Sequence, residues 1–260
     1  MFRQIRGEAV NTVAFGSGDK VFLGITGSFG TWEVWQQPFE LLSSSRRTIG
    51  YDHFGTGETH VAAELVTFEN QVSLVEGVLD AFDVDSCVLA GDSSMTGVAL
   101  EAARRWPERV DHLVLVSGGL DYTPDETVLR FVEGLRQAFE ATLDVFVELC
   151  LPEDDSGHLR QWLKDIISRT GGERAAQLVE SFYEVDVRPG LSAVSVPTLV
   201  IHGAMDALPA SPVAAAEEMA GAIPGAELVV IPDAGHVPTL SRPREVVAAI
   251  EQFLASTPEM

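Results

Sequence analysis

Three residue types that could together perform nucleophilic chemistry occur in the chain as Ser93, Asp206 and His236. In such a set the imidazole removes a proton from the hydroxyl, and the carboxylate orients the imidazole and stabilises its charged form. Each residue alone has an ordinary explanation, because serine and aspartate commonly cap helices and a loop histidine is commonly a surface residue. The elements that carry the three residues therefore decide whether they act together.

Ser93 lies where a buried strand is predicted to turn into a helix. Residues 86–90 form a short apolar run, and residues 94–106 have the character of a helix that ends before Pro107. A Gly-x-Ser sequence between a strand and a helix places the serine on a sharp turn, with its hydroxyl projecting from the end of the sheet. The turn therefore predicts a nucleophilic serine.

The register of this turn favours Ser93 over its neighbours. Because the backbone is crowded there, small residues are expected two positions before and two positions after the nucleophile. Gly91 fits the first position, whereas Met95 departs from the pattern at the second. With Ser94 as the nucleophile, Asp92 would occupy a position that needs a small residue. Asp92 as the nucleophile would lie one residue too close to Gly91.

Asp206 and His236 each follow a later predicted strand, at 198–202 and 226–231 respectively. Active-site residues of open α/β sheets gather just beyond the carboxyl ends of the strands. Serine, then acid, then histidine is also a known chain order for such a set. Three weak signals in this order and context together predict a Ser-His-Asp triad.

Apolar runs alternate with helical periodicity along most of the chain, which predicts an α/β fold with a mostly parallel sheet flanked by helices. Residues 121–190 interrupt this alternation, since they contain no convincing strand. They are predicted to form an inserted helical cap over a core made of residues 1–120 and 191–260. The helical stretches predicted in this insertion are 127–150, 159–168 and 173–184.

The charge of the chain argues against several classes of function. Its 260 residues contain 17 Lys and Arg against 39 Asp and Glu, a net charge of −22. Such a surface repels nucleic acids and anionic membranes. No apolar run approaches the ~20 residues that span a bilayer, and the first residues lack the apolar block of a secretory signal. We therefore expect a cytoplasmic protein whose partner is a small-molecule substrate. The sequence leaves undecided whether the protein forms a homodimer.

No cofactor is expected from the sequence. The glycines at 24–30 follow a strand, but they match neither of the common glycine-rich phosphate-binding motifs. The histidines and the two cysteines, Cys87 and Cys150, do not have the spacing of metal ligands, and the cysteines are predicted to be buried free thiols. His202 falls inside a predicted buried strand, so packing is its expected role.

These motifs resemble those of the α/β-hydrolase superfamily, in particular capped serine hydrolases such as small carboxylesterases and lactonases. The resemblance spans nearly the whole chain, through Gly16-Ser17-Gly18, the 51–57 stretch, the turn at Ser93 and Ala234-Gly235-His236. It implies an α/β-hydrolase fold, with a mostly parallel twisted sheet, flanking helices and an inserted helical cap.

The resemblance also implies an oxyanion hole made of two backbone N–H groups. One is expected at Ser94, directly after the nucleophile. The other normally follows a His-Gly pair after the third strand, and Leu23-Gly24 is the expected match for that pair here. This makes Ile25 the first choice for the second N–H group, with Ser28 as the alternative.

By this resemblance the chain is expected to hydrolyse an ester, lactone or thioester of a small hydrophobic substrate through an acyl-enzyme on Ser93. Two alternatives stay open. One is a carbon–carbon bond hydrolase or a perhydrolase that uses the same triad. The other is a ligand-binding protein descended from a hydrolase.

Overall fold

Eight strands form one sheet through the middle of the part of the chain that the computed structural model describes, residues 1–257. Their order across the sheet is β1-β2-β4-β3-β5-β6-β7-β8, and β3 to β8 are mutually parallel. β1 and β2 add an antiparallel edge beside β4. The strands are β1 (Phe2–Ile5), β2 (Glu8–Phe15), β3 (Val21–Ile25), β4 (Arg47–Tyr51), β5 (Cys87–Asp92), β6 (Val110–Val116), β7 (Thr198–Gly203) and β8 (Glu227–Ile231).

Eleven α-helices surround this sheet in the described chain. They are α1 (Gln36–Leu42), α2 (Phe68–Ala81), α3 (Met95–Arg105), α4 (Glu126–Gln137), α5 (Phe139–Cys150), α6 (Gly157–Ser168), α7 (Gly172–Glu180), α8 (Arg188–Leu191), α9 (Val213–Ala222), α10 (Pro238–Ser241) and α11 (Pro243–Ser256). The central parallel strands β3, β5 and β7 are buried along their whole length, because helices cover both faces of the sheet.

The two faces of the sheet carry separate apolar clusters. Residues of α2, α3 and α9 contribute to the larger cluster. Residues of α1 and α11 pack on the opposite face with the alternate side chains of the same strands, among them Val88 and Ala90 of β5. Side chains of a strand point alternately to the two faces, so one apolar run supplies both clusters. These clusters hold the strand ends at which the predicted site residues lie.

The segment between β6 and β7 contains α4 to α8, which we call the inserted helices. Within the described residues, its only β contact is a single bridge between Asp121 and Asp186. The prediction of one helical stretch over 127–150 is wrong, since the chain forms α4 and α5 with a break at Ala138. The backbone of Ala138 leaves the helical conformation (φ −145°, ψ 52°), and this lets α5 turn away from α4.

β1 was not expected from the sequence. Because β1 lies at the edge of the sheet, only one of its four side chains, that of Ile5, is buried. A two-residue turn, Arg6-Gly7, joins β1 to β2 with φ values of 53° and 88°. Positive φ at both positions suits the twist of a tight hairpin, which favours glycine at such a turn.

Candidate active site

Ser93 lies on a strained turn directly after β5. Its φ of 54° is in the left-handed region, which residues other than glycine seldom adopt. A Cβ at Gly91 would lie only 2.5 Å from the carbonyl oxygen of Met95, so the start of α3 packs tightly on the end of β5. The tight turn directs the Ser93 hydroxyl away from the sheet, as a strand–serine–helix sequence predicts.

Met95 departs from the expected small residue without disturbing this turn. It is fully buried, and its side chain belongs to the larger apolar cluster together with Val98 and Ala99 of α3. Methionine is unbranched and flexible, so it fills an irregular space in a core more readily than a branched side chain does. Only the backbone of Met95 meets Gly91 closely.

The loops that carry Asp206 and His236 are fastened to each other. The N–H of Met205 donates to the carbonyl of Ala234 at 2.8 Å. A Cβ at Gly203 would overlap the carbonyl oxygen of Gly235, so the two backbones pass closely at this glycine. Because β7 and β8 are parallel neighbours, both loops leave the same end of the sheet.

The structure brings the three predicted residues into one hydrogen-bonded chain. His236 Nε2 lies 2.9 Å from Ser93 Oγ. On the other side of the ring, His236 Nδ1 lies 2.7 Å from Asp206 Oδ2. The side chain of Asp206 is fully buried and that of His236 is 4% exposed. Bulk water therefore has little access to the bond between the acid and the base.

The electrostatics of this pair favour a charged carboxylate beside the imidazole. Burial acts to raise the pKa of Asp206, but the charge of His236 and several hydrogen bonds outweigh it and hold that pKa well below its ordinary value. Burial acts to lower the pKa of His236, and the neighbouring Asp206 outweighs it and raises that pKa above 6.5. Asp206 thus stabilises the imidazolium form.

Ser211 joins this group although no sequence pattern pointed to it. Its hydroxyl donates to Asp206 Oδ2 at 3.1 Å and lies 3.0 Å from His236 Nδ1. The backbone N–H of Leu208 donates to the other carboxylate oxygen at 2.9 Å. A serine in a loop has no periodicity or spacing that marks such a contact. His202 is fully buried as predicted, and its Nε2 lies 3.2 Å from Asp206 Oδ2.

Asp92 is a buried acid next to the serine. It is 2% exposed, and its Oδ1 has no hydrogen-bond partner among the described residues. Burial raises the pKa of Asp92 to about 7; the charge of His236 acts to lower it, and that of Asp206 to raise it further. Asp92 also contributes to the raised pKa of His236. The carboxyl group therefore acts on the imidazole through the electrostatic field.

The loop after β3 lies against Ser93. Its position in the structure shows that the match expected for the His-Gly pair was wrong. Leu23-Gly24 lies inside β3, which ends at Ile25, so Thr26-Gly27 is the pair that follows the strand. Ile25 is fully buried, is paired in register with Gly91 and does not line the cavity described below. The geometry therefore favours Ser28, the alternative, over Ile25.

Ser28 and Ser94 are in contact with each other beside Ser93. Their hydroxyl oxygens lie 2.7 Å apart, and within residues 1–257 neither backbone N–H donates a hydrogen bond. Gly27 passes so close to Ser93 that a Cβ at Gly27 would lie 2.8 Å from the serine Cβ. Sequence reasoning missed the role of Gly27, which lies two residues after the end of β3, although a glycine at a strand can mark the close approach of another backbone.

A cavity of about 680 Å³ opens above Ser93 and beneath the inserted helices. Its walls are mainly apolar, and in them Phe29 contacts two aromatic rings of the inserted helices, those of Phe131 and Phe146. Among the described residues that line it there is no Lys or Arg, whereas three acids, Asp92, Asp121 and Asp125, do line it. The lining residues from the inserted helices are Thr127, Val128, Phe131, Ala141, Thr142, Val145, Phe146, Leu149, Cys150, Leu163, Ile167 and Val179.

Three further properties concern residues 1–257. Cys87 and Cys150 are buried free thiols, as predicted. In this part of the chain no group of three or more His, Cys, Asp or Glu side chains is arranged to hold a metal ion. None of the described helices has the length and apolar character needed to cross a membrane.

Comparison with known proteins places the chain among hydrolases. The family model for the alpha/beta hydrolase fold matches residues 20–243. A pimeloyl-[acyl-carrier protein] methyl ester esterase of Nitrosomonas europaea is 30% identical, over 84% of this chain and 89% of that protein. The karrikin insensitive 2 receptor CA of Petunia hybrida is 27% identical, over 94% of each chain. An esterase from Exiguobacterium antarcticum has the same fold, with a TM-score of 0.91, 22% identity and 98% coverage of both chains.

Proposed function

The chain belongs to the α/β-hydrolase-fold family, which confirms the predicted fold, and from this premise we propose that it hydrolyses carboxylic esters, lactones or thioesters of small hydrophobic compounds. The single observation that carries this proposal is the hydrogen-bonded chain from Ser93 through His236 to Asp206, with contacts of 2.9 and 2.7 Å. The 30% identical esterase supports the choice of an ester bond over other bonds.

In the proposed mechanism His236 Nε2 accepts the proton of Ser93 Oγ as that oxygen attacks the acyl carbonyl. The tetrahedral intermediate collapses, the bond from carbonyl carbon to leaving oxygen breaks, and the imidazolium gives its proton to the leaving alcohol. The acyl group is then bound to Ser93. Water, deprotonated by His236, attacks this acyl-enzyme and releases the acid, while the serine recovers its proton.

The oxyanion of both tetrahedral intermediates needs donors that are already in place. We assign this role to the backbone N–H groups of Ser94 and Ser28, which flank Ser93 and have no other hydrogen bond within residues 1–257. Preorganised donors stabilise the charge where it develops, and loss of one typically costs about 10²–10³ in rate. No step in this mechanism requires a cofactor.

We propose that the inserted helices act as a cap that selects hydrophobic substrates. The cavity of about 680 Å³ is large enough for a drug-sized molecule. Phe131, Phe146 and Leu149 of the inserted helices offer apolar contacts in its wall. A hydrophobic acyl or alcohol group bound there would place its carbonyl beside Ser93.

A second candidate is a receptor-like protein that binds a hydrophobic ligand. The relative from Petunia hybrida that is named as a receptor favours this candidate, since it matches 94% of the chain. Cleavage of a carbon–carbon bond or perhydrolysis would use the same three residues as ester hydrolysis. The substrates that turn over separate these candidates.

The proposal is tested with a panel of chromogenic esters and thioesters of increasing acyl length, on the wild-type protein and on Ser93→Ala. We expect turnover by the wild type and a loss of at least about 10³-fold in the variant, because removal of a triad member leaves only the oxyanion hole and binding. A fluorophosphonate probe followed by mass spectrometry is expected to label Ser93.

Ser44→Ala is the matched control, since Ser44 is exposed and remote from the cavity. Its turnover and labelling should equal those of the wild type. Binding of the esters with neither labelling nor turnover would contradict the proposal and favour the receptor. Labelling of Ser93 without ester or thioester turnover would favour a carbon–carbon bond or perhydrolysis substrate.

A further inference from the structure

The loop between α5 and α6 contacts the turn that carries His236. Glu153 of this loop is 2% exposed, and its Oε1 accepts a hydrogen bond from the backbone N–H of Gly235 at 2.7 Å. Gly235 directly precedes His236. The inserted helices therefore reach past the cavity wall to the backbone of the predicted base.

A second hydrogen bond fastens the same turn. The backbone N–H of His236 donates to the carbonyl of Cys150, the last residue of α5, at 2.8 Å. Gly235 also packs so closely on Pro152 that a Cβ at position 235 would overlap the proline ring. The backbone N–H groups of Gly235 and His236, in what we call the histidine turn, thus both donate to acceptors in residues 150–153.

Glu153 is itself held in place. Its Oε2 accepts from the Ser156 hydroxyl at 3.3 Å, and its backbone carbonyl accepts from Arg160 at 3.2 Å. Burial of a carboxylate is costly unless it receives hydrogen bonds, and a buried N–H without a partner is costly too. The contact between Glu153 and Gly235 satisfies both groups, so the loop and the histidine turn stabilise each other.

We infer that Glu153 is a positioning residue for the reaction proposed above, because its carboxylate sets the position of the histidine turn and so keeps His236 Nε2 within reach of Ser93 Oγ. This inference rests on the proposed function. Glu153 does not line the cavity and touches neither Ser93 nor the space for substrate. Its effect on the reaction is therefore exerted through the backbone of Gly235.

Glu153→Ala and Glu153→Gln separate this role from a merely structural one. Alanine leaves the Gly235 N–H without an acceptor, and a small displacement of a reacting group can lower the rate by about 10²-fold. We expect Glu153→Ala to lower kcat to that extent and to leave KM within about twofold, since the cavity is unchanged. Glutamine retains an acceptor oxygen, so we expect kcat to recover to within a few-fold of the wild type.

A second readout does not depend on activity. If the turn moves, His236 separates from Asp206, and the pKa of His236 falls because this carboxylate is what raises it. The imidazole titration followed by NMR, assigned with His236→Ala, is expected to shift to lower pH in Glu153→Ala and to stay in place in Glu153→Gln. Glu148→Ala, an exposed glutamate of α5, is the matched control and should change neither kcat nor the titration.

The inference is overturned if Glu153→Ala keeps the wild-type kcat and titration, or if Glu153→Gln loses as much as alanine does. Should Glu153→Ala fail to fold, Glu153→Asp replaces it. Its carboxylate is one methylene shorter and should give the same loss of kcat. An inactive wild type would refute the proposed function alone, because the NMR titration would still decide the role of Glu153.

Discussion

His236 is surrounded by negative charge, and this determines when it can act as a base. Asp206 contacts its Nδ1 at 2.7 Å, and Asp92 acts on it through the field without a hydrogen bond. Asp206, and Asp92 in its ionised form, stabilise the imidazolium, so the pKa of His236 lies above its ordinary value of 6.5. A base must be neutral to accept the serine proton. The reaction should therefore accelerate at a higher pH than an unperturbed histidine would allow.

We expect kcat/KM for a neutral ester to rise with pH through an apparent pKa above 6.5 and then to level off. Asp92→Asn should move this rise to lower pH, because removal of the negative charge destabilises the imidazolium and lowers the pKa of His236. The measurement is the pH profile of kcat/KM for both proteins. Asp233 is an exposed acid on the turn that carries His236. Asp233→Asn is therefore the control, and it should not shift the pH profile. If the pH profile of kcat/KM for Asp92→Asn equals that of the wild type or is shifted to higher pH, this electrostatic role is refuted.

The elements around the site meet with little space between them. The loop after β3 passes Ser93 at Gly27, where a Cβ would lie 2.8 Å from the serine Cβ. The loops after β7 and β8 pass each other at Gly203. Glycine permits both approaches because it has no side chain. The positions of the proposed nucleophile, base and oxyanion donors therefore depend on loops that are fastened to one another.

Gly27→Ala tests the first of these approaches. The added methyl group must displace either Ser93 or the loop that carries Ser28, so we expect kcat to fall by roughly 10- to 10²-fold. Overpacking should also destabilise the fold by about 1–3 kcal/mol. Kinetics with a short chromogenic ester and a thermal melt measure the two effects.

Gly221→Ala is the matched control for this substitution. Gly221 lies in α9, and a Cβ there meets no atom within 4 Å. Alanine favours a helix over glycine, so this variant should keep full activity and gain stability by up to about 1 kcal/mol. If Gly27→Ala were as active as Gly221→Ala, the loop after β3 would not position the reacting groups.

The whole molecule is strongly acidic, and its inserted helices do not offset this charge near the cavity. Arg136 forms ion pairs with Glu173 and Glu180, and Arg188 pairs with Asp121 and Asp186. None of the described residues that line the cavity is Lys or Arg. Arg188, which pairs with the cavity-lining Asp121, is also paired with Asp186, so its charge is offset by two acids. We therefore expect the long-range field of a net charge of −22 to act on charged substrates at the cavity.

From this field we expect discrimination against substrates that carry a carboxylate. The p-nitrophenyl ester of hexanoic acid should have a kcat/KM at least about tenfold higher than the mono-p-nitrophenyl ester of adipic acid, since burial of an unpaired charge is costly. The difference in kcat/KM between the two esters should become smaller at high salt, because salt screens the charges. An acyl group delivered on an acidic carrier protein would meet the same repulsion.

Val145→Arg provides the variant for this comparison, because Val145 is 59% exposed and lines the cavity. The introduced cation should raise kcat/KM for the adipic monoester relative to the hexanoate. Val145→Gln, which introduces a polar but neutral side chain, is the control and should not raise the kcat/KM of the adipic monoester relative to the hexanoate. Equal rates for the two esters on the wild type at low salt would contradict the expected discrimination.

The sequence by itself determined the α/β fold and the positions of Ser93, Asp206 and His236. Apolar runs with period two and helices with period 3.6 are local properties, and parallel strands deliver their ends to one edge of the sheet whatever the details of packing. The strands predicted at 86–90, 198–202 and 226–231 agree with β5, β7 and β8 to within two residues at each end. The edge strand β1 escaped prediction because it buries only Ile5.

Only the tertiary structure decided which groups support these three residues. The contact of Ser211 with Asp206, the contact of Glu153 with Gly235 and the choice of Ser28 over Ile25 depend on loops that lie far apart in the chain. No local periodicity encodes such contacts, since a loop residue is positioned by what packs on it. β3 continues through Leu23-Gly24 to Ile25, so the pair that follows the strand is Thr26-Gly27, and this moved the oxyanion prediction to Ser28. The order of the residues in the sequence thus predicts the proposed nucleophile, base and acid, and the packing of loops determines their environment.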